Sequence, residues 1–142
     1  MAAALLEARA AAARGEVPVG AVVVEAGMVL AAAGNRTLTD NDPTAHAEIV
    51  AIREAARIKQ NARLTDCDLY VTLEPCAMCA GAISMARLRR VYFGATDPKG
   101  GAVESGPCLF EQSTVHHRPE VYGGFEEAAC AALLRGFFEG RR

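Results

Sequence analysis

Hydrophobic and polar positions change rhythm several times along the chain, and each change predicts an element. Ala2 to Arg14 is nearly all Ala and Leu, interrupted by Glu7 and Arg9. These are good helix formers and Gly15 is a natural stop, so the stretch predicts a helix with Leu5 and Leu6 toward the core. Glu16 to Pro18 is a connector. Gly20 to Glu25 is β-branched and predicts a strand, Ala26-Gly27 a tight turn, and Met28 to Ala33 a strand pairing back. Gly34 to Pro43 is a polar loop. Thr44 is placed to cap a helix running to about Ile58, with Ile49, Ile52 and Ala56 on its buried stripe.

The second half alternates. Asn61 to Asp66 reads as a loop and Asp68 to Leu73 as a strand buried on both faces. Glu74-Pro75 ends it, and Cys76 starts a helix to about Ala86, with Pro at the position its fixed dihedral suits. Arg90 to Gly94 is a fourth strand. A Gly-rich loop, Ala95 to Gly106, leads to one helical turn at Cys108 to Gln112. Glu120 to Tyr122 is a short fifth strand, and Phe125 to Glu139 a last helix with Leu133, Leu134, Phe137 and Phe138 as its apolar residues. Helices alternating with strands after one hairpin imply a mostly parallel, helix-covered sheet.

Composition narrows this picture. The chain has 142 residues, 51% of them hydrophobic, which suits one domain with a real core and argues against disorder. Lys and Arg total 15 against 17 for Asp and Glu, so any nucleic-acid footprint must be local. Five cysteines, two of them in one C-x-x-C, fit a reducing compartment better than a disulfide framework. The charges at Glu7 and Arg9 interrupt what would be the apolar run of a signal peptide, and no run approaches membrane-spanning length. The expected location is the cytoplasm, with no membrane partner. The Gly100-Gly101 and Gly123-Gly124 pairs carry no phosphate-loop pattern, so no nucleotide cofactor is expected. Cys67, Cys108 and Cys130 read as small buried apolar residues.

The chemistry sits in two short segments, Thr44-Ala45-His46-Ala47-Glu48 and Pro75-Cys76-Ala77-Met78-Cys79. Cys76 and Cys79 are three apart, so a helix turns both sulfurs to one face. With His46 they make a soft set of one imidazole and two thiolates that suits zinc. Three protein ligands leave a tetrahedral position for water, and Glu48 is close enough to act as its base without being a ligand. The plainer alternative is a structural zinc site closed by a fourth side chain.

His46-Ala47-Glu48 with Pro75-Cys76-Ala77-Met78-Cys79 resembles the signature of the zinc-dependent cytidine deaminase superfamily. Glu16 to Ala21, Asp42 to Glu48, Tyr70 to Cys76, Phe93-Gly94-Ala95 with Asp97, and His117-Arg118 narrow the resemblance to the bacterial tRNA adenosine deaminases. The resemblance implies a three-layer α/β/α sandwich on a five-stranded mixed sheet, residues 1–142 forming a single deaminase domain, and a homodimer. It also implies one Zn2+ per subunit on His46, Cys76 and Cys79, Glu48 as proton shuttle, and the wobble adenosine of a tRNA anticodon loop as substrate. Asn35 matches the family's base-contacting asparagine, and backbone groups of Ala47 and Pro75 are expected to line the base pocket. Asp97 and Lys99 match a loop near the substrate backbone, and Arg141 and Arg142 an Arg pair on the last helix. Arg87, Arg89 and Arg90, with Arg118, form a further local basic group. Gly101 to Cys108 and Glu111 to His116 depart from the family pattern. Two alternatives stand beside the tRNA reading: a deaminase of a free base or nucleoside such as guanine or cytosine, and a non-catalytic zinc-stabilised module.

Overall fold

The computed structural model describes residues 1–141; Arg142 lies outside the described residues. Five strands, β1 (Gly20–Glu25), β2 (Met28–Gly34), β3 (Cys67–Leu73), β4 (Arg90–Ala95) and β5 (Glu120–Tyr122), form one sheet in the order β2-β1-β3-β4-β5. Helices α1 (Ala2–Ala13) and α4 (Glu127–Glu139) pack on one face, and α2 (Ala47–Lys59) and α3 (Ala77–Met85) cover the other. This is the expected α/β/α sandwich. The sheet is mixed rather than mostly parallel: β1 runs antiparallel to both β2 and β3, while β3, β4 and β5 are mutually parallel. The reason is the first crossover. The chain leaves the hairpin from β2 at the edge, and β3 enters on the far side of β1.

Most predicted elements lie within two residues of their expected bounds, and the differences have physical causes. In α1, Leu5 is buried but Leu6 is 65% exposed. The buried stripe is Ala4, Ala8 and Ala11, because the helix crosses β1 too closely for larger side chains. A Cβ on Gly20 would lie 1.9 Å from the Ala4 carbonyl oxygen, so this strand position demands glycine. In α2 the buried line is Ala47, Ala51 and Ala55 with Ile49, and Ile52 and Ala56 are only half-buried beside it.

The cap of α2 is His46, not Thr44. The Thr44 hydroxyl and backbone N–H both donate to Asp42 Oδ1, at 2.7 and 2.9 Å, closing a local turn before the helix starts. The last helix begins at Glu127, after Glu126 in the left-handed region at φ 53°. Its buried residue is Cys130; Leu133, Leu134 and Phe137 are half-buried and Phe138 is exposed. Of the other cysteines, Cys67 is buried as expected, but Cys108 is half-buried with φ 43°.

Candidate active site

The C-terminal end of β3 and the N-termini of α2 and α3 meet at one point. His46 precedes α2 and Cys76 precedes α3, both with extended dihedrals, so each ligand side chain sits at the start of its helix. Cys79 follows one turn into α3 and is fully buried. His46 Nδ1 lies 3.6 Å from Cys76 Sγ and 3.5 Å from Cys79 Sγ. A tetrahedral zinc with bonds of about 2.05 Å to nitrogen and about 2.3 Å to sulfur puts such atoms roughly 3.6 Å apart. The donor set therefore fits the ion in size as well as softness. Among the described residues this is the one cluster of at least three His, Cys, Asp or Glu able to hold a metal. Cys108 and Cys130 stay outside it, their thiols directed to the Ser105 and Phe125 carbonyls.

The electrostatics agree. Cys76 is held at about 4 by the hydrogen it receives from Cys79 and by His46 beside it. Cys79 is pushed up by giving that hydrogen and by its burial. Two adjacent sulfurs that cannot both ionise cheaply are a pair awaiting a cation, whose charge stabilises both thiolates. His46 is raised, chiefly by its hydrogen bond with Cys76. Glu48 is 4% exposed, and burial drives its carboxyl above the ordinary value.

A cavity of about 360 Å³ opens on this cluster, lined by His46, Glu48, Cys76, Asn35, Ala47 and Asp97 among others. Pro75 is not in its lining, and the Pro75 carbonyl accepts from Ala102 N–H at 2.9 Å. Lys99 is exposed outside the lining; its N–H and that of Gly100 donate to Asp97 Oδ1, so the Asp97 carboxylate closes a turn. Arg141 is exposed and its guanidinium stacks on Phe137 at 4.0 Å. Arg142 falls outside the described residues. The local basic group is at the other end of the sheet, where β3 and β4 begin. There Arg89 pairs with Asp68 and Arg90 with Glu120. His117, in the loop before β5, ties that end together through Leu88 O at 2.6 Å and Ser84.

Two buried carboxylates flank the cavity and were not singled out for a role from sequence. Glu74, at the end of β3, accepts from the N–H groups of Asp97, Val103, Glu104 and Ser105 and from the Ser105 hydroxyl. A Cβ on Gly101 would lie 2.5 Å from the Glu74 carboxyl carbon, so the loop wraps the carboxylate only because that position is bare. Glu16, before β1, binds the opposite loop, Asn35 to Thr39. Both fall in segments that resemble the family, Glu16 to Ala21 and Tyr70 to Cys76, but nothing in the sequence marks a role for either.

The family model of the cytidine and deoxycytidylate deaminase zinc-binding region matches residues 1–95. The chain belongs to that deaminase family. Within it, a tRNA-specific adenosine deaminase of Agrobacterium fabrum (strain C58) is 59% identical over 139 residues, covering 98% of this chain and 91% of the relative. A structure from studies of A-to-I editing by tRNA:A34 deaminases superimposes with a TM-score of 0.93 at 59% identity, covering 94% of this chain and 97% of the other. A structure of guanine deaminase from Bacillus subtilis superimposes less fully, with a TM-score of 0.63 at 43% identity over 66% of this chain and 60% of that one. The zinc-binding region so matched contains this chain's His-Cys-Cys group, and the enzyme is a zinc-dependent hydrolase with one ion per subunit.

Proposed function

We propose that this deaminase converts the wobble adenosine of a tRNA anticodon loop to inosine and releases ammonia. The observation that carries the reading is a zinc-ligand cluster and a buried carboxylate opening on one base-sized cavity, in a chain 59% identical to a tRNA-specific adenosine deaminase along nearly its whole length. Zinc, when bound, supplies the Lewis acidity that makes water nucleophilic near neutral pH. Glu48 takes a proton from the attacking water and delivers it to a ring nitrogen; it then moves the proton of the new C6 hydroxyl to the departing amine, so that the C–N bond breaks, ammonia leaves and a C6 carbonyl remains. Burial suits Glu48 to this work, because a raised pKa makes its carboxylate a stronger proton acceptor than an exposed one.

The flipped adenine enters between the Asn35 and Asp97 walls, with Ala47 behind it. Lys99 and Arg141 meet the flanking phosphates. A tRNA substrate places the protein in the cytoplasm; no helix among the described residues is long and apolar enough to cross a membrane. Residues 1–142 act as one domain, and two copies pair as a homodimer. Support for pairing comes from α3, whose outer face of Ala77, Met78, Gly81, Ala82 and Met85 carries no charge, with Met85 79% exposed.

Zinc-loaded protein incubated with an anticodon stem-loop should yield inosine, with binding that weakens as salt rises. The likeness to guanine deaminase favours a second reading, deamination of a free base. Ammonia released from guanine or another free base, with no inosine in the stem-loop, would establish that reading instead.

A further inference from the structure

Asn35 is the polar side chain in one wall of the cavity, and its usefulness depends on which end of its amide faces the substrate. An amide offers a donor at one end and an acceptor at the other, and only its surroundings choose between them. The backbone of Asn35 is fixed: its N–H donates to Val19 O at 3.1 Å, and its carbonyl accepts from Arg14 Nη2 at 3.2 Å. Behind the side chain lies Glu16, 1% exposed. Glu16 Oε2 accepts from the Thr39 N–H and hydroxyl at 2.7 and 2.6 Å. Glu16 Oε1 accepts from Leu38 N–H at 3.2 Å and, at 3.4 Å, from the Thr37 hydroxyl and Asn35 Nδ2. Asn35 Nδ2 also reaches Thr37 Oγ1 at 3.4 Å.

A purely structural clasp has no need of a charge. Among the described residues no Lys or Arg pairs with Glu16, and a buried, unpaired carboxylate is costly. Burial works against its ionisation, yet the bonds from Thr39, Leu38 and Thr37 outweigh that and hold its pKa below the ordinary value. An ionised carboxylate only accepts hydrogen bonds. It therefore compels the Asn35 NH2 to turn inward and leaves Oδ1 for the cavity.

We propose that Glu16 is a positioning residue that sets the polarity of the substrate pocket by orienting the Asn35 amide, so that the wall presents an acceptor and selects a substrate bearing an N–H or O–H there. The proposal rests on the reading of Asn35 as a substrate contact. Glutamine at position 16 fills the same space, but it replaces one acceptor oxygen with an NH2 that faces other donors. It removes the constraint on Asn35 while keeping most of the loop.

The test is a double-mutant cycle on zinc-loaded protein with an anticodon stem-loop, using wild type, Glu16→Gln, Asn35→Ala and the double variant. Glu16→Gln should raise KM by roughly 10- to 100-fold, the cost of one mispaired buried group, with kcat within about twofold and zinc content unchanged. Asn35→Ala should raise KM similarly, and the double variant should be no worse than Asn35→Ala alone. Losses that multiply, a fall in kcat alone, or an Asn35→Ala enzyme with normal KM would each overturn the proposal. If Glu16→Gln does not fold, Thr37→Val carries the cycle: a rise in KM in the wild-type background that disappears in the Asn35→Ala background supports the proposal, and an equal rise in both overturns it. Side-chain amide resonances of Asn35, identified by their loss in Asn35→Ala, give a readout without turnover. They should shift in Glu16→Gln (or in Thr37→Val where it carries the cycle) and stay in place in Glu25→Gln. A wild type that makes no inosine would sink the wobble reading while leaving this measurement to decide on Glu16, where an unmoved amide signal overturns the proposal.

Discussion

At the scale of single residues, the proposed roles separate the groups that would hold the ion from the group that would move protons. Cys79 is fully buried and faces His46 at 3.5 Å, so Cys79→Ala deletes a proposed ligand and opens a small void. Zinc content measured after gel filtration should fall well below one per chain, and thermal stability with it. Glu48 is as buried but is not among the ligands. Glu48→Gln keeps the shape and removes the base. Zinc should stay near one per chain while turnover falls by roughly 100- to 10,000-fold. A Glu48→Gln protein purified without metal would show that the carboxylate is a ligand. The cysteine pair was legible in the sequence because its spacing is local, Cys76 just before the helix and Cys79 one turn into it, whereas His46 joins them only in the fold. Glu16 and Glu74 were not, because their meaning lies in loops about 20 to 30 residues away whose N–H groups converge on them only in the fold.

Among the elements, strands and helices followed from local rhythm, and the errors came from tertiary contact. Nothing in Leu5-Leu6 says which one faces the sheet; the close crossing over Gly20 decides it. Nothing in β1 says that β3 will pair with it antiparallel. The divergent loop from Gly101 to Cys108 was opaque for the same reason, and Glu74 now accounts for its first half. Four backbone N–H groups and one hydroxyl end on that carboxylate, which joins the loop bearing Asp97 to the strand leading into Cys76. Glu74→Gln should cost about 1–3 kcal/mol, since an NH2 then opposes at least one buried N–H. The acid dependence has a definite sign. Burial alone would raise the Glu74 carboxyl, but the bonds from Asp97, Ser105 and Glu104 hold it below its ordinary 4.5. Its stabilisation is therefore complete above about pH 4.5 and drains as pH falls toward the folded value. Denaturant titrations should show the gap between wild type and Glu74→Gln widest at pH 7 and closing below pH 4.5. Metal loss in acid is common to both proteins and cancels in the difference.

For the whole molecule the question is what covers α3. Its inner face is committed: Cys79 to the site, and Ala80 and Ile83 to the core between sheet and helices. Its outer face presents Ala77, Met78, Gly81, Ala82 and Met85 in succession, with no charged residue in the helix. An isolated surface helix normally carries charge on that side, so this pattern suits burial against another chain. Small residues at Ala77, Gly81 and Ala82 let a second copy approach closely, and nothing in the fold lies within 4 Å of a Cβ added at Gly81. In a lone protomer, Met85→Asp exchanges an exposed apolar side chain for a polar one at almost no cost. In a pair related by a two-fold axis the same change buries two carboxylates near one another. Sedimentation velocity should therefore give a dimer for wild type and a monomer for Met85→Asp, with secondary structure unchanged by circular dichroism. Because the same helix carries Cys79 on its inner side, loosening the pair should also lower zinc retention. A wild type that sediments as a monomer at tens of micromolar would overturn the dimer reading.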